Sequence, residues 1–303
     1  MQRVGALVSC GWLSRILSPS AQHLKVLDAR WYMPGSDINS HAEYTKEHIP
    51  GAEFFDIDAC TLPQSPYSHT LPTPDFFANY VGNLGICNET HVVVYDNHAD
   101  FGVFSAPRVW WLFRVFGHNH VSVLNGGLPQ WIKEGHPVAS SKAPRDVEKK
   151  TFNAVLQPHL FKRFEDMTGN LEKNKFQVMD ARSAARFKGE APEPREGLCR
   201  GHMPRSINVP FSSLLNSKDA EQSPRLMKSP AELQEIFTSR GIDLSQPLTA
   251  SCGSGITACI QTLAAFEVGK KNVAMYDGSW EEYAQRATPD QMVVCNPEEA
   301  SAG

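Results

Sequence analysis

At 303 residues, with 41% hydrophobic side chains and a net charge of −4, the chain is long for one core and suits two domains. No basic excess marks a nucleic-acid surface, and no apolar run approaches the roughly 20 residues of a membrane helix; Val109–Phe116 is broken by Arg114. Seven cysteines (Cys10, Cys60, Cys87, Cys199, Cys252, Cys259 and Cys295) are scattered without a C-x-x-C pair, which argues for a reducing compartment and against a disulfide scaffold or structural zinc.

The first 27 residues lack Asp and Glu but carry Arg3, Arg15 and Lys25, a faint likeness to a mitochondrial transit peptide. Val8–Leu17 also reads as an amphipathic opening helix leading into a strand at Lys25–Leu27. This structural reading is preferred, so no cleavage is expected.

The chain then repeats itself. Val26-Leu27-Asp28-Ala29-Arg30 recurs as Val178-Met179-Asp180-Ala181-Arg182, and His48-Ile49-Pro50 as His202-Met203-Pro204. Leu84-Gly85-Ile86 recurs as Arg240-Gly241-Ile242, and Asn125-Gly126-Gly127 as Asp277-Gly278-Ser279. Four landmarks in the same order imply a duplicated domain. Each half alternates short apolar strands with helical stretches, so the expected class is α/β: two tandem domains, each a mostly parallel sheet flanked by helices. The boundaries read as 1–138 for a non-catalytic domain, 139–157 for a polar linker, 158–295 for a catalytic domain and 296–303 for a frayed tail.

Only the second half carries a thiol where chemistry would use it. Leu248–Ser251 reads as a buried strand, and Ala258–Phe266 as a helix with an apolar face at 259, 263 and 266. Between them lies Cys252-Gly253-Ser254-Gly255-Ile256-Thr257. Two glycines free the backbone for positive φ, so that N–H groups can converge on one point. The helix that follows adds the partial positive charge of its N-terminus. Such a loop should hold an anion and lower the pKa of Cys252. In the first half Asp96 stands opposite Cys252, and the loop after it is longer, which fits a scaffold domain.

The whole chain resembles the two-domain rhodanese-family sulfurtransferases. The resemblance rests on E-H-I-P-G-A-E-F-F-D-I-D at 47–58, S-P-Y-S-H-T-L-P at 65–72 and S-A-P-R-V-W-W at 105–111. The second half adds R-F-K-G-E-A-P-E-P-R at 186–195, C-G-S-G-I-T at 252–257 and Y-D-G-S-W-E-E-Y at 276–283. The loop is similar to the mercaptopyruvate branch; the thiosulfate branch carries two basic residues where Gly253 and Ser254 stand. Two positions depart from the pattern: Arg205 replaces a glycine in H-x-P-G, and Phe104 replaces a frequent tyrosine.

The resemblance implies covalent catalysis: Cys252 takes sulfur from 3-mercaptopyruvate as a persulfide and hands it to thioredoxin, a small thiol or cyanide, releasing pyruvate. It implies Arg186 and Arg195 as the grip on the donor carboxylate, with Gly253, Gly255, Ile256 and Thr257 lining the donor. It also implies a Ser254–His69–Asp58 relay for the proton that pyruvate needs. No cofactor or metal is called for, because the transferred atom rides on the enzyme. A monomer or homodimer in cytoplasm and mitochondrion, with no nucleic acid or membrane partner, completes the expectation. Thiosulfate sulfurtransferase activity and a non-catalytic sulfur carrier are the alternatives. A cysteine phosphatase would need an arginine six residues after the thiol, where Ala258 stands. His48 and His202 are expected to serve turn geometry.

Overall fold

A computed structural model describes residues 4–17, 23–140, 147–217 and 224–293. It divides into two compact units: residues 1–63, 71–157 and 215–227, and residues 64–70, 158–214 and 228–303. Each unit therefore includes a short segment from the other half of the sequence.

The first unit holds β1 (Leu7–Val8), β2 (Leu24–Asp28), β3 (Glu53–Phe54), β4 (His91–Tyr95) and β5 (Val121–Leu124). They form an all-parallel sheet in the order β1-β5-β4-β2-β3. Its helices are α1 (Cys10–Ile16), α2 (Ser40–Lys46), α3 (Pro74–Asn83), α4 (Ala106–Val115) and α5 (Gly127–Lys133). The second unit repeats the design with β6 (Phe161–Lys162), β7 (Gln177–Asp180), β8 (Ile207–Asn208), β9 (Leu248–Ser251) and β10 (Val273–Tyr276). Their order, β6-β10-β9-β7-β8, is again all parallel. Its helices are α6 (Phe164–Lys173), α7 (Ala184–Phe187), α8 (Pro230–Ser239), α9 (Ala258–Glu267) and α10 (Ser279–Arg286).

Parallel strands covered on both faces read as continuous apolar runs, and Val92, Val93, Val94 and Tyr95 of β4 are fully buried. The repeated D-A-R motifs have one structural cause. Asp28 and Arg30 pair at 2.6 Å, Asp180 and Arg182 at 2.7 Å, and all four side chains are buried. Breaking such a pair from one side costs about 3–5 kcal/mol, because the other charge is left in the interior. Arg182 also lies 4.6 Å from the ring centre of Trp280. His48 Nδ1 donates to Tyr44 O at 2.8 Å and His202 Nδ1 to Phe187 O at 2.7 Å, so the two H-x-P histidines do structural work.

The opening segment belongs to the fold: β1 pairs with β5, and Leu13 of α1 packs with Leu128 and Trp131. Ser9 caps α1 by accepting from the Trp12 N–H at 3.2 Å. Much of the stretch read as linker is also packed. Lys150 N–H donates to Gly82 O at 3.0 Å, Gln157 N–H to Val115 O at 2.7 Å, and Phe152 is buried against Phe77 and Phe113. The tail read at 296–303 lies outside the described residues, as does Cys295.

Two helices differ from their sequence patterns. α9 has no single apolar face: every residue from Ala258 to Ala265 is buried, including Gln261, which donates to Val209 O at 2.7 Å. α4 is buried throughout despite two arginines, because Arg108 stacks on Trp111 and Arg114 on Trp110, each 4.7 Å from a ring centre. Burial pushes the Arg114 guanidinium down to about 10. No described helix is long and apolar enough to cross a membrane.

Candidate active site

β9 is the central strand of its sheet, paired with β7 and β10, and it delivers Cys252 at its carboxyl end. That is where open parallel sheets place their ligands. The thiol is buried, 2% exposed. Gly255, at φ +85, turns its N–H onto Cys252 Sγ at 3.1 Å. The loop carbonyls face the other way. Cys252 O accepts from Trp280 N–H and Gly253 O from Glu281 N–H, both at 2.9 Å. Two orphan donors of the first turn of α10 are thereby satisfied, and the loop is fixed with an N–H toward the sulfur. The Cys252 N–H in turn meets Ser279 Oγ at 3.4 Å.

The two glycines serve different ends. Only Gly255 takes positive φ. Gly253 is small because Arg186 lies over it: a Cβ at residue 253 would sit 2.9 Å from one guanidinium nitrogen of Arg186. The expectation that both glycines supply left-handed backbone is therefore corrected; one supplies a turn, the other space for a cation.

Arg186, in the short α7, makes a bidentate pair with Glu193 through Nε and a terminal nitrogen. Glu193 also accepts from Arg182 at 2.9 Å and is almost wholly buried. Arg195 donates from Nε to Ser68 Oγ at 3.2 Å and pairs with Glu281 at 3.3 Å. Both arginines keep about a fifth of the side chain exposed, 21% and 18%. Two cations, each paired with a carboxylate, could take an anionic ligand.

Ser254 is buried, and its backbone carbonyl accepts from His69 Nδ1 at 3.0 Å. A carbonyl can only accept, so Nδ1 carries hydrogen and Nε2 is the basic nitrogen. The structure thus joins His69 to Ser254 through the main chain. Asp58 belongs to the first unit, where its Oδ1 accepts from Trp31 Nε1 at 3.1 Å. Ile256 is buried and its carbonyl accepts from the Cys259 N–H at 3.1 Å; Thr257 opens α9 without a side-chain cap.

Glu193, Ser279 and Glu281 were not singled out in the sequence. The signal was present in the two family-like stretches that contain them, but Ser279 and Glu281 meet partners 27 and 213 residues away, while those of Glu193 are 7 and 11 residues away. Among the described residues, no group of three His, Cys, Asp or Glu side chains could hold a metal ion.

The site thus combines a thiol at the end of a central parallel strand, one loop N–H on its sulfur and two carboxylate-paired arginines, and comparison with known proteins gives the family. The rhodanese-like domain model matches residues 11–134 and 164–286, so the chain belongs to the rhodanese family. It is 49% identical to the 3-mercaptopyruvate sulfurtransferase of Rattus norvegicus over 290 residues, 95% of each chain. It is also 49% identical to the thiosulfate sulfurtransferase of Rattus norvegicus over 291 residues, again 95% of each. The crystal structure of SseA from Escherichia coli, described with the 3-mercaptopyruvate sulfotransferases, superposes with a TM-score of 0.78 at 36% identity, covering 91% of this chain and 99% of that one.

Proposed function

We propose that this protein is a sulfurtransferase that takes sulfur from 3-mercaptopyruvate onto Cys252 and passes it to a thiol or cyanide. Percentage identity alone, 49% to a relative of each kind, does not separate the mercaptopyruvate and thiosulfate branches. The observation that carries the reading is Arg186 lying over Gly253, where any side chain would displace it. A loop with basic residues at 253 and 254 would put its own cations beside the sulfur. This loop is neutral there and leaves recognition of the donor carboxylate to Arg186 and Arg195, which come from outside the loop.

The proposed chemistry has two transfers. The Cys252 thiolate attacks the donor sulfur, an S–S bond forms, and the C–S bond breaks with its electron pair passing to the enolate of pyruvate. Arg186 and Arg195 hold the carboxylate and keto oxygen. The donor's thiol proton makes good the enolate carbon, with Ser254, His69 and Asp58 as the relay. Cys252 is left as the persulfide anion, against which the Gly255 N–H is placed. An acceptor thiolate, of thioredoxin or a small thiol, then attacks the outer sulfur and Cys252 departs as thiolate. We place the protein in cytoplasm and mitochondrion, as a monomer or homodimer, with 158–295 as the domain that carries the nucleophile and 1–138 as the domain without it.

The test is steady-state turnover with 3-mercaptopyruvate and thiosulfate side by side, with pyruvate and sulfide both measured. A kcat/KM ratio favouring 3-mercaptopyruvate, with pyruvate formed, supports the reading; a ratio favouring thiosulfate defeats it.

A further inference from the structure

Residues 64–70 come from the first half of the sequence but belong to the second unit. The segment is internally tied: Ser65 Oγ lies 2.6 Å from Thr70 Oγ1 and accepts from the Tyr67 N–H at 3.1 Å, and Thr70 Oγ1 donates to Tyr67 O at 3.0 Å. His69 then takes φ +58, a left-handed conformation that an L residue keeps only when its surroundings enforce it. One residue earlier, Ser68 gives both donors to a single carboxylate. Its N–H reaches Glu281 Oε2 at 3.2 Å and its hydroxyl reaches Oε1 at 3.1 Å. Glu281 is 7% exposed, and its own N–H donates to Gly253 O. One residue thus holds both the neighbour of His69 and the neighbour of Cys252.

We propose that Glu281 is a positioning residue that sets His69 against the Cys252–Gly255 loop. The proposal rests on the reading of His69 as a proton-handling group. A carboxylate suits this task and an amide does not. Ser68 offers two donors, one to each oxygen, so both oxygens must accept, and Arg195 Nε adds a positive charge 3.3 Å from Oε1. Glutamine has one acceptor oxygen and would turn an N–H₂ against a donor, which undoes the chelate while the backbone bond to Gly253 O survives.

The experiment compares Glu281→Gln, Ser68→Ala and the double variant with wild type. 3-Mercaptopyruvate leaves an enolate carbon that needs a proton, whereas thiosulfate leaves sulfite, which does not. In Glu281→Gln, kcat with 3-mercaptopyruvate is expected to fall about tenfold while kcat with thiosulfate stays within about threefold; KM for 3-mercaptopyruvate rises too, because Arg195 loses its ion pair, so the split in kcat is the diagnostic. Alkylation of Cys252 by iodoacetamide should keep its wild-type rate, because the loop is still held by the main chain. The double variant should lose less than the product of the single losses, the signature of a shared contact. Equal losses for both donors with slowed alkylation would overturn the proposal, since Glu281 would then only brace the loop; so would multiplicative losses. Should Glu281→Gln fail to fold, Ser68→Ala must show the same donor split, or the proposal falls. The wild-type donor comparison judges the functional reading, and the variants judge Glu281.

Discussion

Asp96 and Cys252 are each the first residue past the central strand of their sheet, and backbone N–H donors meet both, three at Asp96 and one at Cys252. Asp96 Oδ2 accepts from Phe104, Ser105 and Ala106 at 2.8, 2.9 and 2.8 Å. Cys252 Sγ accepts from Gly255 at 3.1 Å. The first copy of the repeat fills its anion site with its own carboxylate; the second leaves a thiol there. The same strand–loop–helix design is therefore structural in one unit and, on our reading, chemical in the other.

Replacing Asp96 tests the structural half of that statement. Asp96→Asn should cost about 1–3 kcal/mol, because a neutral oxygen meets three buried donors. Asp96→Ala should cost more, since it leaves them bare. Urea denaturation gives the loss; kcat/KM per folded molecule should not change.

Cys252→Ser should abolish sulfur transfer, and mass spectrometry after donor alone should place one added sulfur on the Cys252 peptide of the wild type. Burial pushes the Cys10 thiol up to about 12 and raises those of Cys60 and Cys199. These three should remain unmodified. Sulfur found chiefly on Cys199 or Cys259 would refute the assignment.

Gly253→Ala separates recognition from stability. The added Cβ meets only the end of a flexible arginine, so unfolding free energy should shift by less than about 0.5 kcal/mol. Displacing Arg186 should raise KM for 3-mercaptopyruvate about fivefold or more. Exchanging Gly253 for Arg and Ser254 for Lys together should move preference toward thiosulfate. An unmoved donor ratio would show that the loop does not set specificity.

Arg205 is exposed and sits at φ +61, where its counterpart in the first unit is Gly51 at φ +84. Arg205→Gly should relieve left-handed strain and stabilise the protein by about 0.5–1 kcal/mol, net of the greater freedom of glycine in the unfolded chain. A lower thermal midpoint would contradict this.

Burial pushes the His118 imidazole down to about 4, against about 6.5 in the unfolded chain. Above pH 6.5 both states are neutral there and the residue adds no pH dependence. As pH falls from about 6.5 toward 4 the unfolded chain binds the proton and the folded one does not, so stability drops by up to about 1.4 kcal/mol per unit. His118→Gln should flatten the acid limb of a plot of stability against pH; an unchanged limb would exclude His118 as its source.

The duplicated D-A-R and H-x-P motifs, the apolar strands and the Cys252 loop were legible in the sequence because each is a local pattern. Strand period, glycine placement and the order of landmarks need no knowledge of distant partners. That locality determined the α/β class, the repeat and the candidate nucleophile. Tertiary structure decided the rest. Gly253 looked like a source of backbone freedom until Arg186, far away in sequence, was found above it. Glu281 was not singled out in the sequence; its carboxylate gained a role only through Ser68 and Arg195. Residues 64–70 changed units, and α9 lost its polar face, because hydrogen bonds and burial join segments that no sequence period connects.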